Sequence, residues 1–134
     1  AACAEGAPRA AADQAQMAAL LARLRDALRA TPGVVLPLEP IRAAPHILSL
    51  AVPGIPSQGL INRLQDREIY VSAGSACAKG HRSHVLTAMG LDNAYVDSAI
   101  RVSLSAENTA EELDAFVAAV GEIAAAEQAR RARK

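Results

Sequence analysis

Three segments of the chain place apolar residues at steps of three and four, the spacing that forms one face of a helix. The first runs from Asp13 to Ala30, the second begins at Ser57, and the third begins at Thr109, where Thr109 and Glu112 have capping-box spacing. Their apolar positions are Met17, Leu20, Leu21, Leu24 and Leu28; Leu60, Ile61 and Leu64; and Leu113, Phe116, Val117, Val120 and Ile123. The pattern therefore predicts three amphipathic helices.

Shorter apolar runs between these helices predict strands. They are Val34–Leu36, Ile47–Val52, Ile69–Val71 and Ile100–Leu104. Prolines after the first run confine it to a short or edge strand. The last run alternates apolar and polar residues with period two, so Arg101 and Ser103 share one face of a half-buried strand. This order of elements predicts an α+β fold in which helices cover a small, mostly antiparallel sheet.

Composition mainly excludes certain classes of partner and a membrane-spanning segment. The 134 residues, 51% of them hydrophobic, are enough for one compact domain, residues 1–134. A formal net charge of zero provides no field that would attract nucleic acid or an anionic membrane, and the basic end, residues 130–134, is interpreted as a solvated helix terminus. The apolar run after Ile47 is cut by Pro53 and Gly54, so no membrane span is predicted.

The two cysteines differ in setting. Cys3 lies in an alanine-rich end, whereas Cys77 lies in Val71–Gly80, a run of small and turn-forming residues. Such residues allow a chain to display a thiol on a loop, here between a strand and the short helix predicted over Ser83–Gly90. The two cysteines are too far apart in sequence for a metal-ligand pair, and they indicate reduced thiols in a cytoplasmic protein.

Four segments together carry a family resemblance. In order they are Pro45–Leu50, Ser72–Cys77, Ser83–Leu91 and Ser98–Leu104. Their sequences and spacing resemble the C-terminal, small domain of NifS/IscS-type cysteine desulfurases, pyridoxal phosphate enzymes related to class V aminotransferases. The resemblance covers essentially the whole chain, and it identifies residues 9–31 as the helix that connects the small domain to the large cofactor domain.

The resemblance implies a fold like the C-terminal domain of fold-type I pyridoxal phosphate enzymes, and it implies roles for two residues. Cys77 matches the cysteine that takes sulfur from L-cysteine as a persulfide while L-alanine is released. Arg101 matches the arginine that binds the substrate carboxylate, for which a planar guanidinium is suited. The structural alternative for Arg101 is an exposed strand arginine paired with a nearby carboxylate. His81 and His84 receive no catalytic role and no metal is expected.

The resemblance also implies partners: a sulfur acceptor, either an iron–sulfur scaffold or a tRNA-thiolation enzyme, and a second subunit in a full-length homodimer. Pyridoxal phosphate would be bound by a large domain that has no counterpart here, since the only lysines are Lys79 and Lys134. The start at Ala1 is interpreted as a cut end, and this chain alone is predicted to be inactive. Two other hypotheses stay open: a stand-alone persulfide carrier, and a thiol-bearing interaction module without catalysis.

Overall fold

The computed structural model describes residues 8–39, 44–73 and 82–133. In chain order its elements are helix α1 (Ala10–Arg29), strand β1 (Ile47–Ala51), helices α2 (Ser57–Gln65), α3 (His84–Ala88) and α4 (Asn93–Ser98), strand β2 (Ala99–Ser103) and helix α5 (Ala110–Ala132). Helices flank a small antiparallel sheet, which confirms the α+β class predicted from the sequence.

The sheet of the described residues is narrower than predicted. β1 and β2 form an antiparallel pair, and single bridges flank it, Val35 with Ala51 on one side and Ser72 with Arg101 on the other. The predicted strand Val34–Leu36 is therefore reduced to one bridging residue, Val35. Pro37 has no N–H to extend this bridge. The predicted strand Ile69–Val71 is wrong, because none of its residues pairs with the sheet; the bridging residue is Ser72, which follows it and exchanges backbone hydrogen bonds with β2.

One face of the sheet is buried under the helices. Leu48 and Leu50 of β1 and Ile100 and Val102 of β2 are at most 6% exposed, as alternation along half-buried strands requires. Helix α1 contacts β1 and α5, and α2 contacts β2 and α5. The remaining buried members of this core are Leu21, Leu24, Leu28, Val52, Ile55, Leu60, Ile61, Leu64, Leu104, Leu113, Phe116, Ala119, Val120, Ile123 and Ala124.

Helix α5 begins where the sequence predicts, whereas α1 begins at Ala10, three residues before the predicted Asp13. At α5 the Thr109 hydroxyl accepts a hydrogen bond from the Glu112 N–H, and the Glu112 carboxylate accepts one from the Thr109 N–H, so the predicted capping box is confirmed. Helix α4 was not predicted, because it is short and carries no helical apolar repeat. Its one signal in the sequence is Asp92, whose side chain accepts a hydrogen bond from the Ala94 N–H.

Helix α3 is short and lies on the surface. Ser83 caps it by accepting a hydrogen bond from the Leu86 N–H, and Gly90 follows it with a φ of 74°. None of its residues is buried, and Val85 is 53% exposed. Its apolar residues therefore do not join the core formed by the described residues.

The basic end is not simply a solvated terminus, because two of its arginines hold a buried carboxylate. Glu127 is only 4% exposed, and Arg130 donates two hydrogen bonds to it while Arg131 donates one. The Arg130 hydrogen bonds are the largest cause lowering the pKa of Glu127 from 4.5 to about 2, against the opposing effect of burial. The end of α5 thus depends on an ionised Glu127.

We predict that Glu127→Gln makes the free energy of unfolding less dependent on pH at low pH. A carboxyl group whose pKa falls on folding stabilises the protein fully above its unfolded value of 4.5, and this contribution is lost as pH falls toward about 2. Urea unfolding across that window measures it. The wild type should lose stability more steeply than Glu127→Gln, whereas Glu122→Gln, which alters an exposed ion pair with Arg67, should follow the wild type. Parallel curves for wild type and Glu127→Gln would contradict the assignment.

Candidate functional site

Arg101 lies on the open face of the sheet, as the sequence predicts. Its neighbours in β2, Ile100 and Val102, are buried in the core, while Arg101 and Ser103 are exposed. Successive side chains of a strand point to opposite faces. Packing of the two apolar neighbours therefore fixes the direction in which the Arg101 side chain leaves the sheet.

Arg101 has a serine on each side along the direction of the backbone hydrogen bonds. Ser49 of β1 is its register partner, and Ser72 is its bridge partner on the opposite edge. The Arg101 N–H donates to the Ser72 carbonyl at 2.6 Å, and the Ser72 N–H donates to the Arg101 carbonyl at 3.2 Å. Residues directly opposite each other in an antiparallel pair present their side chains to the same face. The guanidinium thus emerges from a row of two hydroxyl residues, and no carboxylate stands in that row.

The structural alternative for Arg101 receives no support from the described part of the chain. Eight ion pairs join arginines to carboxylates there, and none of them involves Arg101. An arginine in a strand that is not committed to a neighbouring carboxylate can bind an external one through two parallel hydrogen bonds. The arrangement is therefore suited to recognition of a carboxylate ligand.

Cys77 lies outside the described residues, as do Cys3, Lys79 and His81. The segment that contains Cys77, residues 74–81, is flanked by described residues on both sides. On the N-terminal side, Ser72 is hydrogen-bonded to Arg101, as above. On the C-terminal side, Arg82 donates hydrogen bonds to both carboxylate oxygens of Asp97, at 2.6 and 2.8 Å. Both flanks are thus attached to the α4–β2 unit, which carries Arg101.

The geometry supports no catalytic role for His84 and no metal site among the described residues. His84 lies exposed in the first turn of α3. Across residues 8–39, 44–73 and 82–133, no three His, Cys, Asp or Glu residues are grouped so that they could hold a metal ion. No helix in these ranges is both long enough and apolar enough to cross a membrane.

Comparison with known proteins identifies the family. Residues 6–116 match the model of the class-V aminotransferases, and the chain belongs to that family. Among curated proteins it is 42% identical over 100 residues to a NifS/IcsS protein homolog of Lactobacillus delbrueckii, covering 72% of this chain and 26% of the relative. It is 35% identical over 121 residues to a cysteine desulfurase of Rhodobacter capsulatus, covering 89% and 32%.

The solved structures that resemble this chain include NifS-like proteins, as the sequence relatives do. A NifS-like protein from Rickettsia africae superposes with a TM-score of 0.75 at 28% identity, over 87% of this chain and 30% of that one. A second NifS-like protein gives 0.72 at 34% identity, over 87% and 29%. The NifS/IscS resemblance is therefore confirmed, and the chain spans about a quarter to a third of the length of the relatives it matches.

Membership of this family implies use of pyridoxal phosphate, a cofactor that forms a Schiff base with the amine of a lysine. The described residues include no lysine. The described residues do not fit the role of a complete cofactor site, and we assign no cofactor contact to any of them.

We predict that Arg101 contributes little to stability. Arg101→Gln should change the free energy of unfolding by no more than about 0.5 kcal/mol, because the side chain is exposed and the core does not depend on it. The matched control is its neighbour: Ile100→Ala removes a side chain that is 1% exposed and should cost about 2–5 kcal/mol. Urea unfolding measures both. A loss above about 1.5 kcal/mol for Arg101→Gln would assign Arg101 a structural role.

Proposed function

We propose that this chain is the small domain of a pyridoxal phosphate-dependent cysteine desulfurase. The observation that carries the proposal is the hydrogen-bonded bridge between Ser72 and Arg101. It places Ser72, which lies shortly before the segment that contains Cys77, beside the arginine proposed to bind substrate. Membership of the class-V aminotransferase family and similarity to cysteine desulfurases support the same assignment.

In this proposal Arg101 binds the α-carboxylate of L-cysteine. Its guanidinium leaves the open face of the sheet with no carboxylate partner among the described residues, so both N–H groups of its fork can engage a ligand. The strand is held on both edges, by its antiparallel pairing with β1 and by the backbone hydrogen bonds that Arg101 exchanges with Ser72. A rigid strand holds a binding group more accurately than a loop does.

Cys77 takes the substrate sulfur and holds it as a persulfide, while the carbon skeleton leaves as L-alanine. Cys77 lies five steps along the chain from Ser72, and an extended chain spans at most about 3.3–3.6 Å per step, so covalent geometry limits the distance between their Cα atoms to about 18 Å. This limit is compatible with a thiol that acts on a substrate bound by Arg101. Pyridoxal phosphate would be held by a large domain of the full-length enzyme and would supply the chemistry that labilises the carbon–sulfur bond.

The retained arginine favours this proposal over a stand-alone persulfide carrier. A carrier receives sulfur from another protein and does not need to bind an amino-acid carboxylate. The same argument disfavours an interaction module without catalysis. As the small domain of a full-length cytoplasmic homodimer, the chain would pass the sulfur of Cys77 to an acceptor protein, either an iron–sulfur scaffold or a tRNA-thiolation enzyme.

We predict the outcome of joining the chain to a cofactor domain. A chimera in which it replaces the matching segment of the Rhodobacter capsulatus relative should release L-alanine from L-cysteine. Cys77→Ser should reduce the rate at least about 100-fold, as loss of a nucleophile does. Arg101→Gln should raise the KM for L-cysteine about 10- to 100-fold, the equivalent of losing a charged hydrogen-bond pair, and Arg101→Lys should retain part of the affinity.

Matched controls separate these effects from general damage. Cys3→Ser should leave turnover unchanged, and so should Arg63→Gln, which alters an exposed arginine on α2. The chain by itself, given pyridoxal phosphate and L-cysteine, should release no L-alanine. Full turnover by the Cys77→Ser chimera, or an unchanged KM in Arg101→Gln, would contradict the roles proposed for these residues.

A further inference from the structure

We infer that Ser49 is a second carboxylate-binding residue, whose hydroxyl donates a hydrogen bond to the carboxylate that Arg101 holds. This inference rests on the proposed function and deepens it by naming a further residue that contacts the substrate. Ser49 and Arg101 face each other across β1 and β2, within the described part of the chain.

Ser49 and Arg101 form the kind of antiparallel pair that brings two side chains closest together. Ala51 exchanges backbone hydrogen bonds with Val35, on the edge of β1 that faces away from β2. Successive residues of a strand alternate between its two edges, so Ser49 also directs its backbone groups away from β2. Arg101 directs its own toward Ser72, away from β1. The register partners are therefore a non-hydrogen-bonded pair, whose Cα atoms lie about 4.5 Å apart, against about 5.5 Å in a hydrogen-bonded pair.

Ser49 is the one polar residue of strand Ile47–Ala51. Its neighbours Leu48 and Leu50 are buried in the core, so Ser49 takes the open face, where it is partly exposed. The residues enriched in strands are β-branched and aromatic ones. Within the described residues, the Ser49 hydroxyl has no hydrogen-bond partner. Neither strand preference nor an internal contact of these residues accounts for a serine here, whereas a ligand beside Arg101 does.

Two carboxylate contacts elsewhere in the protein show how Arg101 can hold a ligand. Arg82 donates to the two oxygens of Asp97 through Nε and Nη2, and Arg130 donates to those of Glu127 through the same two atoms. When an arginine side chain extends away from a sheet, this edge of the guanidinium faces sideways. A carboxylate bound there lies above the neighbouring strand, close to the sheet surface. On the side of β1, the position directly beneath it is the register partner of Arg101.

The chemistry of the two side chains is complementary around one carboxylate. An ionised carboxylate accepts at about four lone-pair sites, and the arginine fork occupies two of them. The Ser49 hydroxyl lies close to the backbone of β1, so it can donate to the oxygen nearer the sheet, and its small size leaves room for the ligand above it. Ser72 flanks Arg101 on the other side in the wider, hydrogen-bonded kind of pair. Ser49 is therefore the hydroxyl assigned to the carboxylate.

The test uses the chimera described above. Ser49→Ala should raise the KM for L-cysteine about 5- to 20-fold and change kcat little, because a hydrogen bond to a charged group is lost while the reacting atoms are unaltered. Ser49→Thr keeps the hydroxyl and should retain most of the affinity. Calorimetry supplies a readout without turnover: the dissociation constant of L-alanine, which carries the same carboxylate and no sulfur, should rise by the same factor in Ser49→Ala.

Two controls separate binding from a general change of the open face. Ser103→Ala removes a hydroxyl from the next exposed position of β2, opposite Ile47, and should leave the KM and the affinity for L-alanine unchanged. In the Arg101→Gln background, Ser49→Ala should have a smaller effect than in the wild type, since both groups act on one carboxylate. Equal effects in the two backgrounds would mean that the two residues act independently, and would contradict the inference.

The outcomes separate this inference from the proposed function. If Arg101→Gln raises the KM but Ser49→Ala changes neither the KM nor the affinity for L-alanine, the role of Ser49 fails and the proposed function stands. An equal loss in Ser103→Ala would also overturn the role of Ser49, because the effect would then belong to the whole face. If Arg101→Gln leaves the KM unchanged, the proposed carboxylate site fails, and the inference that rests on it fails as well.

Discussion

The antiparallel pairing of β2 on both of its edges is the constraint on which the site depends. β1 pairs with one edge, and Ser72 pairs with the other edge at Arg101. Burial of Ile100 and Val102 then decides which face Arg101 occupies, because a slip of one residue would exchange the two faces. A single strand thus sets the position of Arg101, the residue proposed to bind the carboxylate, and of Ser72, which precedes the segment that contains Cys77.

The two sides of β2 have different roles. The apolar side of β2 joins a core built with α1, α2 and α5, and this core supplies the stability. The open side carries a charge that the core does not require. The Arg82–Asp97 contact is also exposed, so it contributes little to stability. Residues on this side of the domain can therefore be substituted without loss of the fold.

Much of the fold could be predicted from the sequence where the period of apolar residues is long. The repeat ending at Leu28 and the capping box at Thr109 locate the ends of the two long helices, and alternation about Arg101 locates its strand. Short elements were predicted poorly because their signals are weak: α4 has only a cap, the predicted strand Val34–Leu36 is a single bridge, and Ile69–Val71 does not pair with the sheet. The Arg82–Asp97 contact, between residues 15 positions apart, leaves no periodic pattern at all. The roles of Arg101 and Cys77 came from family resemblance and stay predictions.

The central claim is that sulfur from L-cysteine reaches Cys77 while Arg101 holds the carboxylate. The most direct test is a single turnover of the chimera with L-cysteine labelled in its sulfur, followed by digestion and location of the label. The account predicts label on the peptide containing Cys77, retained in Cys3→Ser and strongly reduced in Arg101→Gln at low substrate concentration. Release of L-alanine with the label absent from Cys77, or attached only to Cys3, would contradict it.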